Sequence, residues 1–401
     1  MNILFIASRF PYPPLQGDSL RAYHQIRMLS RRHRITLLAP APADQGSLGH
    51  VARFCERIVT IPASPLRRAV HAAASFINKL PLQTNYWFER RHAEAARKLI
   101  DSTPFDLAHV QLVRMAPIAQ ALNRLPRVID LIDALSLNFA RRATRGASIL
   151  HPLWRLEATR LAAYERRLLD IYDRAIVVAA ADRIAIGARD NLHVVPNGVD
   201  ARAIAFRRDG RDRSLIVMSG RMGYAPNAEG AAWFAREVMP LIAREAPHAR
   251  FMIVGADPPT SMGRLAVNGV QVTGAVPSVM PYLHRAAVAV APLLSGAGMQ
   301  NKVLEAMAAG APVVATPIAA AGLGLAVASE HLLIARDAKE FACHALNLLG
   351  DQKRAAMLAT NARRLVEEHY SWERSARELE RIYQLAIETP RTERRVAAAG
   401  F

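Results

Sequence analysis

The segment Pro292–Thr316, PLLSGAGMQNKVLEAMAAGAPVVAT, reads as a strand end, a glycine-containing loop, a helix and a second strand. That succession belongs to a parallel α/β sheet. Gly296 and Gly298 allow the backbone to come close to a ligand. The helix that opens near Gln300 turns its amide groups and the positive end of its dipole toward the same place. Together these make an anion site suited to a diphosphate. Lys302, in the first turn, adds a full positive charge, and Glu305 three residues on shares its face. A carboxylate there can accept two hydrogen bonds from a vicinal diol such as a ribose. Taken alone, the same residues also describe an ordinary strand–helix turn with a surface Lys–Glu pair.

The alternation extends in both directions. Strands are predicted at Ser214–Met218, Arg250–Val254, Val270–Thr273, Val288–Ala291 and Pro312–Ala315, with helices over Asn227–Glu245 and Gln300–Ala309 and mostly helix over Ala338–Ile387. Earlier in the chain, Asn2–Ala7, Arg34–Ala39, Arg57–Ile61, Leu107–Val110, Arg127–Leu131, Ala175–Ala179 and Leu192–Val195 read as strands. A Pro/Gly loop and a helix over Ser19–Arg32 follow the first of them. Basic amphipathic stretches lie at Leu66–Leu80, Tyr86–Ile100 and Leu153–Leu169, and the polar run Asp200–Arg213 reads as a linker. Two Rossmann-like halves result. Because open α/β sheets bind ligands at the carboxyl ends of their strands, both halves are expected to face a central cleft.

A chain of 401 residues is too long for one core and suits two domains. The only cysteines, Cys55 and Cys343, have no CxxC or Cys/His spacing around them, which argues against a disulfide framework or structural zinc and for a reducing compartment. Near the N-terminus the apolar stretch Ile3–Ala7 has no basic residues before it, so it reads as a first strand rather than a signal peptide. No run approaches the length of a membrane span. The formal net charge is +18, and five of the 52 basic residues are lysine. Residues 1–190 hold 28 Lys and Arg against 15 Asp and Glu, the remainder 24 against 19. The excess in the first half is either a solvated surface or a face for anionic lipid or an acidic acceptor. A nucleic-acid module and an aromatic platform are both missing from the sequence.

Several stretches together resemble glycosyltransferase family 4, a large family of retaining enzymes of the GT-B fold. These are KVLEAMAAGAPVVAT at Lys302–Thr316, VVPNGVD at Val194–Asp200, SGRMGYAPN at Ser219–Asn227, YSWERSARELERIY at Tyr370–Tyr383 and the opening forty residues. The likeness covers nearly the whole chain and is greatest to exopolysaccharide and PEP-CTERM-associated sugar transferases of Gram-negative bacteria. It implies an N-terminal acceptor domain over 1–195, a nucleotide-sugar donor domain over 196–368 and a helix over 369–388 that crosses back onto the first domain; the composition of 389–401 reads as a flexible tail. Glu305 matches the second Glu of the family's E-x7-E motif, which holds the donor ribose. The first Glu falls on Ala297, so the motif is broken, and with it the usual contact to the transferred sugar. Arg221 matches the arginine that binds the donor diphosphate. A lysine that often follows is replaced by Ala225–Pro226–Asn227, and Lys302 is the candidate to supply that cation.

Gly17, after the first strand, matches a glycine whose neighbouring amides face donor phosphate or acceptor; it also fits a plain turn. Asp18 fits a helix cap, and Arg21 either the cleft or the surface. Asp133, in RVIDLIDALS at 127–136, stands where many relatives place a sugar-contacting histidine. It is read either as orienting a sugar hydroxyl and stabilising developing cationic charge or as a cap of the next helix. Asn197 and Gly198 read as a turn, and His24 and His109 as structural. No Asp-x-Asp or His/carboxylate spacing stands at a suitable place, so neither a metal nor a cofactor is expected. The resulting expectation is a cytoplasmic hexosyltransferase. It would carry a sugar from a nucleoside diphosphate donor to a saccharide or lipid-linked saccharide, with peripheral contact to an anionic membrane and no nucleic-acid partner. The alternatives are a sugar-nucleotide epimerase on the same scaffold and a degenerate, non-catalytic nucleotide-sugar binder.

Overall fold

The computed structural model describes residues 1–42, 44–62, 75, 78, 80–144, 149–266 and 269–389. Most of the predicted amphipathic stretch Leu66–Leu80 and the predicted tail lie outside the described residues. The chain forms two compact units, Met1–Pro196 together with the residues from Ser375 onward, and Asn197–Arg374.

The first unit holds seven parallel strands: β1 (Asn2–Ile6), β2 (Arg34–Pro40), β3 (Arg57–Ile61), β4 (Leu107–Gln111), β5 (Arg127–Ile132), β6 (Arg174–Val177) and β7 (Leu192–Val194). Their order is β3-β2-β1-β4-β5-β6-β7, so the winding reverses between β1 and β4. Ile3, Leu4, Phe5 and Ile6 are all fully buried, as expected of a central strand covered on both faces. The pleat sends them to two cores in turn. Leu4 and Ile6 join one with Val110, Ile129 and Leu168; Ile3 and Phe5 join the other with Ile26, Leu37 and Val128. Onto this second face packs the helix Trp372–Glu388 through Leu379, Ile382, Tyr383 and Ala386, a helical stripe of apolar side chains. The Tyr383 hydroxyl meets Nδ1 of the buried His109 at 2.9 Å, and His109 stacks on Phe5 at 4.3 Å. Burial holds that imidazole down at about 4, so it is neutral near pH 7.

Arg21 takes neither of the two places the sequence suggests. It is completely buried, with Nε donating to Asp130 Oδ2 at 2.6 Å and an Nη donating to the Val195 carbonyl at 3.1 Å. Gln25 donates to the same carboxylate oxygen at 2.8 Å. The helix bearing Arg21 and Gln25 runs over Gly17–Leu29 and is capped reciprocally by Gln16 and Ser19, so Asp18 is not its cap.

The second unit has six parallel strands: β8 (Asp212–Ser219), β9 (Arg250–Val254), β10 (Val270–Val272), β11 (Ala286–Ala291), β12 (Val313–Ala315) and β13 (Leu333–Ile334). Their order is β10-β9-β8-β11-β12-β13, with the reversal between β8 and β11. The helix predicted over Asn227–Glu245 begins at Ala225 and passes through a π turn, Phe234–Val238, before Met239–Glu245. Pro240, which has no N–H to give to an α turn, accounts for the irregularity. The predicted linker over Asp200–Arg213 is fastened to this unit. Arg211 donates to the carbonyls of Leu283, Ala286 and Ala309 at 2.8, 2.6 and 3.0 Å, and the Phe206 ring lies so close to Gly310 that a Cβ there would come within 2.8 Å. The unit ends at Arg374 rather than at residue 368. Val199 N–H donates to the Tyr370 carbonyl at 2.8 Å, and a Cβ on Gly198 would fall 2.2 Å from the Trp372 nitrogen, so the first turn of the last helix stays with Asn197–Val199.

Candidate functional site

The reversal between β8 and β11 is where an open parallel sheet leaves room for a ligand at its carboxyl edge. Glycines shape this edge. Gly220 and Gly255 follow β8 and β9 with φ of 147° and 153°, and a Cβ on Gly255 would stand 1.8 Å from the Gly220 carbonyl oxygen. The two strand exits therefore touch backbone to backbone. A Cβ on Gly230 would stand 2.6 Å from the Pro292 carbonyl, which fixes the helix Ala225–Trp233 against the exit of β11. Gly296 and Gly298, with φ of 121° and 71°, turn the loop from β11 into the helix Asn301–Ala308.

Lys302 reaches from the first turn of that helix to Asn227, whose Oδ1 accepts a hydrogen bond from Nζ. Asn227 in turn donates through Nδ2 to the Arg221 carbonyl at 2.8 Å. A Cβ on Gly220 would come 3.4 Å from Nζ, so the ammonium lies directly over the exit of β8. Burial lowers Lys302 to about 8, against the pull of Glu305; burial likewise raises Glu305 to about 7, against the pull of Lys302. The Arg221 guanidinium is held by Asp257, Nε to Oδ2 at 2.6 Å, and Asp257 itself sits in left-handed backbone at φ 57°. Nδ2 of Asn197 donates to Asn301 Oδ1 at 3.0 Å. Chemically, this edge offers two cations and a helix start to a phosphorylated ligand, with a carboxyl group beside them.

The remaining predicted residues lie in the first unit. Gly17 opens its helix with nothing within 4 Å of the place of a Cβ, so the backbone does not require glycine there. Asp133 follows β5. It does not cap the next helix, Leu135–Ala143, because Asp182 accepts from Ala134 N–H at 3.1 Å and Glu165 accepts from Ser136 N–H and Oγ at 3.1 and 2.5 Å. Burial, then the charges of Asp182 and Glu165, push Asp133 up to about 7, opposed by Arg114. Just before it Ile132 has φ 67°, an uncommon conformation for a β-branched residue, and Leu112 after β4 has φ 70°.

Sequence reasoning missed Asn227 as a partner of Lys302 and Asp257 as a partner of Arg221. Only Asn227 had a usable signal, since it stands in the segment that departs from the family pattern. Among the described residues, no group of three His, Cys, Asp or Glu is placed to hold a metal ion, and no helix is long and apolar enough to cross a membrane.

Residues 213–351 match the family model described as glycosyl transferases group 1. The matched span contains Arg221, Asn227, Gly296, Gly298, Lys302 and Glu305. Over 397 residues the chain is 25% identical to an uncharacterized 44.6 kDa protein in the cps region of Klebsiella pneumoniae, covering 92% of this chain and 96% of that one. Among solved structures it is similar to a sucrose-phosphate synthase from Thermosynechococcus elongatus, with TM-score 0.72, 17% identity, and 96% and 98% of the two chains covered. The Anabaena protein HepE in complex with UDP and glucose gives TM-score 0.65, 14% identity, and 96% and 99% coverage. These likenesses show the fold to be GT-B, with two Rossmann-like parallel-sheet domains.

Proposed function

We propose that the protein is a nucleotide-sugar-dependent glycosyltransferase of family 4 type that moves a hexosyl group to a saccharide or lipid-linked saccharide in exopolysaccharide assembly. One observation carries the reading: Lys302 leaves its helix start to stand over the β8 exit, within the span that matches the glycosyl transferases group 1 model. In that place it supplies the positive charge lost where Ala225–Pro226–Asn227 replaces the family lysine. Arg221 and Lys302 would grip the diphosphate, Gly296 and Gly298 would let the backbone reach it, and Glu305 would accept from the ribose hydroxyls. The leaving diphosphate would then be stabilised by cations and amide dipoles, without a metal. Gly17 and Asp133 belong to the acceptor side of this proposal. The cps-region relative and the UDP complexes of HepE favour a polysaccharide product and a uridine donor. A cytoplasmic site of action, peripheral to the membrane, completes the proposal.

A thermal-shift screen of UDP, GDP and ADP against the whole chain tests this directly. At least one is expected to stabilise it, and Lys302→Ala is expected to weaken that binding about tenfold, the loss of one charge-assisted hydrogen bond. Unchanged affinity in Lys302→Ala would remove the proposal's foundation. Ala297, standing where the first Glu of E-x7-E belongs, favours a second reading as a binder without turnover. Donor consumption in the presence of acceptor extracts separates the two.

A further inference from the structure

The first unit carries charged groups that the donor proposal leaves unused. Arg9 follows β1 and Arg114 follows β4, the two strands between which the sheet order reverses. Their guanidinium carbons lie 4.6 and 5.0 Å from the centre of the Trp87 ring. Asp18 joins them, its Oδ2 2.8 Å from Arg9 Nε and 3.6 Å from an Nη of Arg114. Gln83 accepts from Arg114 Nε at 3.1 Å, and Gln111 fixes the backbone of Asp18 with a 3.0 Å hydrogen bond to its carbonyl. The side chains remain within reach of solvent, with 32% of Arg9, 16% of Arg114 and 12% of Asp18 exposed.

Two guanidinium groups here share one carboxylate, which leaves one positive charge in excess. Each guanidinium offers about five N–H donors, and among the described residues Asp18 and Gln83 supply their side-chain acceptors. An aromatic ring beneath a guanidinium restrains its long side chain and keeps the planar fork oriented, the form that meets a carboxylate or phosphate through paired hydrogen bonds. A further acid whose charge acts on Arg114, Asp133, is raised to about 7 by burial and by Asp182 and Glu165, so near neutral pH it offsets only part of that excess. An ion pair needed only to hold the helix start would be complete with one arginine, whereas this arrangement keeps two.

We propose that Arg9 and Arg114 form a clamp for an anionic group on the acceptor, a carboxylate or a phosphate close to the accepting hydroxyl. The proposal rests on the glycosyltransferase reading for the word acceptor, but the clamp can be tested without turnover. Calorimetric titration of the whole chain with methyl β-D-glucuronide, glucose 6-phosphate and methyl β-D-glucoside compares carboxylate, phosphate and neutral sugar. At least one anion is expected to bind tenfold or more tightly than the neutral glucoside, and the better anion names the group. Arg9→Gln and Arg114→Gln are each expected to erase the preference, and Arg9→Lys to restore part of it. Arg9 is the more exposed of the two, so its variants guard against misfolding of the Arg114 variant. The clamp is refuted if neither anion binds at millimolar concentration, if the neutral sugar binds as well, or if both Gln variants keep the preference. UDP titrated into the same samples reports on the donor reading separately. UDP binding without anion preference sinks the clamp alone, and anion preference without UDP binding sinks the donor reading while supporting the clamp.

Discussion

At Lys302, burial works against the charge that the donor proposal needs. The ammonium is lowered to about 8 by burial and partly restored by Glu305, itself raised to about 7. Below about 8 the lysine is charged; above it the lysine is neutral and the carboxylate beside it remains. Affinity for a nucleoside diphosphate should therefore fall as pH rises through about 8, although a bound diphosphate will move the midpoint upward by favouring the ammonium. Lys302→Arg, whose charge persists, should hold its affinity at about pH 9. Titrations of UDP at neutral and alkaline pH check this, and a flat profile in the parent would contradict it. Arg21 makes a different case. Its partner Asp130 is also completely buried, so Arg21→Met strands a carboxylate in the core. A loss of about 3–5 kcal/mol in urea unfolding is expected, and Asp130→Asn added to it should recover part of that.

Among the elements, the helix Trp372–Glu388 covers one of the two cores of the first unit. Leu379, Ile382 and Tyr383 are fully buried against β1 and its neighbours. Leu379→Ala should cost about 2–5 kcal/mol, measured as a shift in the urea midpoint of the first unit. That this helix returns to the first unit was legible through the likeness of YSWERSARELERIY to the family's terminal segment. The alternation of strands and helices could be read from the pattern itself, since buried parallel strands are short apolar runs. Arg21 could not, because a charged residue in an amphipathic pattern is assigned to solvent until a distant carboxylate is known to meet it. Arg9, Trp87 and Arg114 could not either: their strands and loops lie far apart along the chain, and only the sheet order brings them together. The fastening of residues 200–211 was hidden by composition, because Arg211 binds backbone carbonyls and no side-chain pattern records that. Lys302 and Glu305 were legible as a pair, but the direction of the lysine, toward Asn227, depended on the two glycine-shaped strand exits.

For the whole molecule the dominant quantity is a net charge of +18, concentrated in residues 1–190. If the proposed membrane contact holds, the protein should float with vesicles containing phosphatidylglycerol at low salt and be released above ~0.3 M salt, where the screening length falls to a few ångströms. Failure to float at low salt would contradict that contact. The polarity of the chain has another consequence. Residues from Ser375 onward complete the first unit, yet they leave the ribosome only after the whole of the second unit. Translation at roughly 5–20 residues per second puts about 10–40 s between the emergence of Pro196 and that of the helix that closes its core. During that interval Ile3, Phe5 and their neighbours lack the cover of Leu379, Ile382 and Tyr383, and the nascent polypeptide presents an open apolar face to chaperones while its second half is still being made.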